Sequence, residues 1–491
     1  MKNVILTVVV FFCMVKVGSS QEFETFDKYF VDKTMRVDYY HIGDAKNEFV
    51  TVDQIYRYGI WAGSRVHLID NFNYGRYYVK IIDAASGDII YTKGFDSYFG
   101  EYKTSQPAID GVKKTFHESA LIPSPKNKIY FALHMRDRKN ELYEFFRAEI
   151  DPENVDIRND DLSDHSIKIF ESDSNGDPHT RVDVAILAEG YTNLEKEKFR
   201  KDLAYFTNVF FGPEPYKSRE NNFNIYGIFK PSAESGVDEP LANIFKNTVL
   251  NCTFNSMGSE RYLLTEDNKT LRDIAANVPY DALYIMVNQS RYGGGGIYNF
   301  FCTFTSNNQW KDYVFLHEFG HSFVGLADEY YTSSTAYNDF YPKGIEPAEA
   351  NITALLDPSN LKWGKVKSTG IEIPTPWEKE EYDAMDNKWQ SERTDLNNKI
   401  AQLKREKAPQ QDILTAEQQY NLKDKTHSEE VDAYLEKSQF VRKVGAFEGA
   451  GYSSQGLYRP MLDCIMFSKG NKPYCKVCEQ ATKEMIDSYM E

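Results

Sequence analysis

In the segment KDYVFLHEFGHSFVGL, His317 and His321 stand four residues apart, and Glu318 follows the first of them. On a helix that spacing projects both imidazoles from one face, where two neutral ring nitrogens can close on one Zn²⁺ at roughly 2.0–2.1 Å. Glu318 points to the side of the pair, within reach of a water on the metal, and so has the position of a general base. The pattern is that of a zinc hydrolase site. Val314, Phe315, Phe319 and Phe323 lie among these residues, which predicts a buried, mostly apolar helix, and Gly325 suits its C-terminus. Imidazoles and a carboxylate placed among phenylalanines are costly without partners, which favours a metal over an accidental match on a solvated helix face.

A catalytic zinc requires a third protein ligand and an open fourth position. Three residues beyond Gly325, the Asp328 carboxylate is the first candidate to swing beneath the metal. Its neighbour Glu329 is the alternative, and it points elsewhere if the backbone is extended.

HEFGHSFVGLADEY from His317, DCIM from Asp463 to Met466, and YCKVC from Tyr474 together resemble the M64 peptidases, the group named after an IgA-cleaving endopeptidase, over about residues 165–491. The resemblance implies a metzincin-like zinc endopeptidase in which Met466 lies on a turn beneath the metal. The metzincin consensus has its glycine three residues after the second histidine and its third ligand three further on. Here Gly325 comes four residues after His321, and Asp328 stands in place of the usual histidine. Ser468 occupies the position where some metzincins carry a tyrosine that assists the oxyanion. Tyr330, Tyr331, Tyr458 and Arg459 lie near the motifs, and any one of them could donate to a tetrahedral intermediate, although a structural role is the more common one for such residues; Tyr458 and Arg459 are named only as guesses.

The elements that must carry these residues divide the chain. Residues 1–20 read as a cleavable signal peptide, with Lys2, an apolar stretch from Val4 to Val15 and a Gly-Ser-Ser end. Phe11 and Phe12 stand before Cys13 where a lipobox wants small residues, so simple cleavage before Gln21 is favoured over a lipid anchor. Residues 21–157 show alternating apolar runs (MRVDYYHI, GRYYVKIIDA, DIIYTKG, KIYFALHMR, ELYEFFRAEI), which predict an N-terminal all-β sandwich. Its His41, His67, His117 and His134 read as ordinary sandwich residues.

A polar linker, DIRNDDLSDHS, leads to residues 166–491, an α/β zincin-like catalytic domain. RVDVAILAEGYT reads as a buried strand, Thr192 with Glu195 as a capping box, and FNIYGIF and YDALYIMV as further strands. GGGGIYNFF from Gly293 suits either a sheet edge open to strand addition by a peptide or a flexible loop. Residues 377–437 are expected to form an inserted helical hairpin that projects as an antiparallel pair. Tyr382, Trp389, Leu396 and Leu403 recur every seven residues with Ile400 between them, and Ile413, Ala416, Tyr420, Val431 and Tyr434 mark a second helix after Pro409. EGAGYSSQGLYRP from Glu448 suits one wall of a cleft.

Composition excludes some partners. The formal charge of −16 becomes −18 when Lys2 and Lys16 leave with the leader, so nucleic acid is not an expected partner. No later stretch approaches the roughly twenty apolar residues of a transmembrane segment, and the expected location is secreted, periplasmic or cell-surface. In such a compartment Cys252, Cys302, Cys464, Cys475 and Cys478 default to disulfides, Cys252 with Cys302 and Cys464 with Cys475 or Cys478, while CxxC also permits a second zinc site. The expectation is a secreted zinc endopeptidase acting on protein or peptide substrates. The competing reading is a surface protein that binds protein or glycan and carries a structural or vestigial metal site.

Overall fold

The computed structural model describes residues 25–159, 162, 164–332 and 340–490. The expected signal peptide and Cys13 lie outside these residues, as do three positions of the polar linker.

The N-terminal region contains β1 (Phe30–Gly43), β2 (Glu48–Tyr58), β3 (Tyr77–Asp83), β4 (Ile89–Phe95), β5 (Lys114–Pro125), β6 (Ile129–Arg136) and β7 (Leu142–Ile150). They form two antiparallel sheets, ordered β2-β1-β5 and β4-β3-β6-β7. Met35, Val37 and Tyr39 on β1 meet Val79, Ile81, Phe131 and Leu133 of the other sheet in one apolar core. The reading by alternation missed β2 and β5, the two partners of β1. In β1 itself the alternating polar residues are buried too: Arg36 and Asp38 are both fully enclosed. Arg36 bridges Asp38 at 3.0 Å and Asp273, far along the chain, at 2.7 Å.

That burial follows from what lies on the outer face. The second region begins with β8 (Lys168–Asp173), β9 (Val182–Glu189), α1 (Lys196–Phe210), β10 (Phe223–Phe229), α2 (Asn268–Ala275), β11 (Ala282–Val287), β12 (Gly294–Ile297), β13 (Phe301–Thr305) and α3 (Lys311–Phe319). Its six strands run in the order β12-β13-β11-β9-β10-β8. The four central strands are parallel and the two edges antiparallel. Every residue of β9 is buried, as expected of a central parallel strand covered on both faces. Val184, Ile186 and Ala188 face α1 and α3. Ala185 and Leu187 face Leu271 and Ile274 of α2 together with Tyr98, Phe99 and Phe116 of the N-terminal region. The N-terminal region is therefore packed onto one face of the mixed sheet, and its aromatic residues complete that core. At the entry to α1, the Thr192 N–H donates to Glu195 Oε2 at 2.9 Å, the contact expected of a capping box.

After α3 come α4 (Lys379–Arg405), α5 (Gln410–Leu435), a small ribbon of β14 (Phe447–Ala450) and β15 (Ser453–Arg459), and α6 (Lys476–Asp487). The helical pair forms where the heptad pattern placed it, but it does not project. Tyr382, Val431 and Leu435 enter the core beside α3. The Trp310 indole donates to Asp424 at 2.6 Å, Lys469 pairs with Asp424 at 2.8 Å, and Arg405 donates to the Leu241 carbonyl at 2.7 Å. Polar residues that read as a solvated face are thus partners for the body of the protein.

Candidate metal centre

His317 lies on α3, and His321 lies one turn later, where the helix widens into a single π turn over Gly320–Val324. A π turn holds one more residue than an α turn. It takes up the extra residue between His321 and Gly325, which sits in the left-handed region at φ +72° and ends the helix. Its N–H bonds back to the His321 carbonyl at 3.0 Å, and the chain then doubles under the two histidines.

This return brings Asp328, and not Glu329, to the imidazoles. His317 Nε2 and His321 Nε2 are 3.1 Å apart, and Asp328 Oδ1 lies 3.1 Å from the first and 3.2 Å from the second. Ligands at about 2.0–2.1 Å in a tetrahedron are separated by about 3.3 Å, so the three atoms have the spacing of three corners. Each histidine directs Nδ1 to a backbone carbonyl, His317 to Ile465 at 2.9 Å and His321 to Leu326 at 2.6 Å. A carbonyl only accepts, so Nδ1 of each ring carries a proton and Nε2 is the nitrogen turned towards a metal. Burial disfavours charge on these groups, yet Asp328 raises His321 to about 9. The two imidazoles in turn hold Asp328 well below the usual carboxylate range against the cost of burial. The carboxylate thus favours positive charge at the point where the ring nitrogens converge. The donor set fits a divalent cation that takes nitrogen and oxygen ligands.

Glu318 lines the same cleft, and burial pushes its carboxyl above the ordinary value while the two imidazoles oppose the shift. The glycines of β12 let this side of the cleft close. A Cβ on Gly294 would lie 2.8 Å from Glu318 Oε1, and one on Gly296 would lie 2.5 Å from the Glu318 carbonyl oxygen and 2.9 Å from His321 Cβ. Gly295 is equally tight against the Tyr262 ring on the opposite face. β12 is an edge strand, as one reading of the glycine run held, but the Gly294 carbonyl already accepts from Leu263 N–H at 3.2 Å. The glycines serve close packing on both faces of this strand.

Met466 is fully buried, and a Cβ on Gly320 would lie 2.9 Å from its sulfur. Its carbonyl accepts from Glu329 N–H at 2.8 Å, so the Met466 turn runs against both the HEFGH helix and the Asp328 segment. Of the four oxyanion candidates, only Tyr330 lines the cleft, and its hydroxyl accepts from Arg261 Nη2 at 2.8 Å. The other three are not among the residues that line it. Arg459 is enclosed between Trp377 and Phe467 and donates to the Gly449 carbonyl at 2.8 Å. Tyr331 donates to Asp383 at 2.6 Å, and Tyr458 pairs through its backbone with Thr353.

Several residues of the centre carried little or no signal in the sequence. Tyr452 donates to Asp328 Oδ2 at 2.5 Å. Asn351 clamps both backbone groups of Ala327 at 2.9 Å and reaches Glu329 Oε1 at 3.1 Å. Arg261 reaches the cleft from a loop. Only the glycine-rich and aromatic character of residues 448–460 hinted at Tyr452. The cleft also takes Gly75, Asp96 and Glu101 from the N-terminal region into its lining.

Comparison with protein families places this arrangement. Residues 169–486 match the family described as IgA Peptidase M64, and residues 25–147 match the description Peptidase M64 N-terminus. A search of curated proteins returns no match. The two matches take in the mixed-sheet region with its candidate metal centre and the β-rich region packed against it, and the chain belongs to the M64 peptidase family.

Proposed function

We propose that the protein is a zinc-dependent endopeptidase whose ion is held by His317, His321 and Asp328 and whose general base is Glu318. The observation that carries this reading is the convergence of three donor atoms at 3.1–3.2 Å with both Nδ1 atoms engaged by carbonyls. When bound, a zinc ion there supplies Lewis-acid polarisation of the scissile carbonyl and lowers the pKa of a coordinated water.

The residues of the chain do the rest. Glu318, which lines the cleft beside the two histidines, takes the proton of the attacking water and delivers it to the leaving amine. Arg261 holds the Tyr330 hydroxyl at 2.8 Å, and this pair replaces Tyr458 and Arg459 as the donor to the developing oxyanion. Tyr452 orients Asp328 through Oδ2 and leaves Oδ1 for the ion. Met466 supports the helix from below at Gly320, the position of a methionine turn in a metzincin-like site. A protein substrate is the expected partner, and export behind residues 1–20 is the expected location.

Incubation with a peptide library, with and without a chelator, tests the proposal. The expected result is internal cleavage that the chelator abolishes and added Zn²⁺ restores. Cleavage that survives complete removal of metal would contradict it. Binding of protein or glycan without any cleavage would favour the surface-binding alternative.

A further inference from the structure

A second cluster lies next to the catalytic centre and takes no part in the reaction described above. Among the described residues, Glu329, Cys464, Cys475 and Cys478 bring one donor atom each to within 4.8 Å of one another, and all four residues are buried. We propose that they bind a second, structural zinc ion that fastens the Asp328 segment to the Met466 turn and to α6.

The geometry fits a closed tetrahedral site. With Zn–S near 2.3 Å and Zn–O near 2.0–2.2 Å, tetrahedral edges are about 3.8 Å between sulfurs and about 3.5 Å between sulfur and oxygen. Here Cys464 Sγ and Cys478 Sγ are 3.9 Å apart, and Glu329 Oε1 lies 3.8 Å from Cys475 Sγ and 3.2 Å from Cys478 Sγ. Backbone N–H groups are aimed at the sulfurs, from Cys475 to Cys464 Sγ at 3.1 Å and from Cys478 to Cys475 Sγ at 3.4 Å. Such donors, together with the N-terminus of the twelve-residue helix α6 that begins after Cys475, offset part of the cost of burying thiolates here.

Glu329 adds an independent argument. It is fully buried, and its Oε2 has no hydrogen-bond partner among the described residues. A carboxyl turned into a pocket of three sulfurs is costly there unless it keeps a proton or a cation meets it. A disulfide between any two of these cysteines would leave the third sulfur and the carboxylate enclosed together, whereas a divalent ion engages all four. The sequence expectation of a disulfide here is thus replaced by the CxxC alternative, with Glu329 as the missing fourth ligand. Binding requires the loss of the three thiol protons. Because Glu329 follows Asp328 directly and donates its N–H to the Met466 carbonyl at 2.8 Å, such an ion would position the catalytic ligand through the backbone.

The test uses the full chain with the catalytic histidines removed, so that its outcome is separate from that of the peptidase proposal. The His317→Ala/His321→Ala variant is expected to retain one zinc per chain by elemental analysis, against two in the unaltered protein. Reconstituted with Co²⁺, the variant should show the thiolate-to-cobalt charge-transfer band of a sulfur-rich site. Adding Cys478→Ser should remove both ion and band. If that protein does not fold, Glu329→Gln keeps all three thiols and should weaken the second Co²⁺ by roughly tenfold or more. A His317→Ala/His321→Ala variant without zinc and without the band would overturn the proposal. So would a disulfide joining two of the three cysteines in the non-reduced native protein.

Discussion

Tyr452 and Asp328 show how the centre depends on residues outside the HEFGH motif. The Tyr452 hydroxyl donates to Asp328 Oδ2 at 2.5 Å, which fixes the carboxylate so that Oδ1 faces the histidines. Partners of this kind typically govern metal affinity by 10–100-fold. Tyr452→Phe is therefore expected to weaken zinc at the proposed catalytic site by roughly 10–100-fold, read by competition with a chelator. Unchanged affinity would assign Tyr452 to the cleft wall alone. His317, Glu318 and His321 were legible because one helical turn carries all three. The choice between Asp328 and Glu329 was not, because it depends on where the backbone turns after Gly325 and on cysteines well over a hundred positions away. Asn351 was invisible for the same reason, and Tyr452 was hinted at only by the glycine-rich, aromatic run around it, since no local pattern ties a loop tyrosine or a lone asparagine to a helix elsewhere.

At the scale of elements, β12 and the helical pair carry the argument. Gly296 allows β12 to lie against the Glu318 carbonyl and His321 Cβ, with no space for a side chain. Gly296→Ala is expected to lower stability by about 1–3 kcal/mol, because backbone must move to admit the methyl. It should also reduce hydrolysis by more than the unfolded fraction explains, since the displaced atoms belong to the HEFGH turn. Unfolding in denaturant and turnover on the same preparation check both parts, and a variant with unaltered activity would show that β12 does not set the helix position. The helices α4 and α5 were legible from their seven-residue recurrence, and Tyr382 and Trp389 are buried as that pattern demands. Their docking was not. It rests on Asp424 meeting Trp310 and Lys469 and on Asp386 meeting His427 at 2.7 Å, polar pairs that in sequence look like a solvated surface. β2 and β5 escaped notice because their faces are covered unevenly, so the period-two pattern that marks β3 or β6 is blurred.

For the whole molecule, the β-rich region and the mixed sheet share a core. Tyr98, Phe99 and Phe116 pack with Leu187, Leu271 and Ile285, and Asn299 Nδ2 donates to the Gly94 carbonyl at 2.7 Å. Near this interface lie two acids. The Asp183 N–H donates to Asp281 Oδ2 at 2.9 Å, and Asp183 Oδ1 accepts from Asn224 at 2.8 Å. Burial and then the neighbouring Asp281 raise Asp183 to about 8. Burial, opposed by Lys93 of the N-terminal region, raises Asp281 to about 7. Both folded values exceed the unfolded value of about 3.9, so the folded state binds more protons and stability falls as pH rises from about 4 to about 8. Asp183→Asn removes one of these acids and keeps an acceptor for Asn224. It should be more stable than the unaltered protein at about pH 8, by about 1–2 kcal/mol, with the difference shrinking towards about pH 5. Urea unfolding at the two pH values measures this, and parallel pH dependences would remove the pair from the account.

Glu318→Ala, with metal content and peptide hydrolysis read on the same sample, separates the proposed zinc ligands from the proposed proton transfer by Glu318. The expected result is zinc content equal to that of the unaltered protein and turnover lowered by about 10²–10⁴-fold or more. Hydrolysis that persists at the original rate with zinc in place would contradict it.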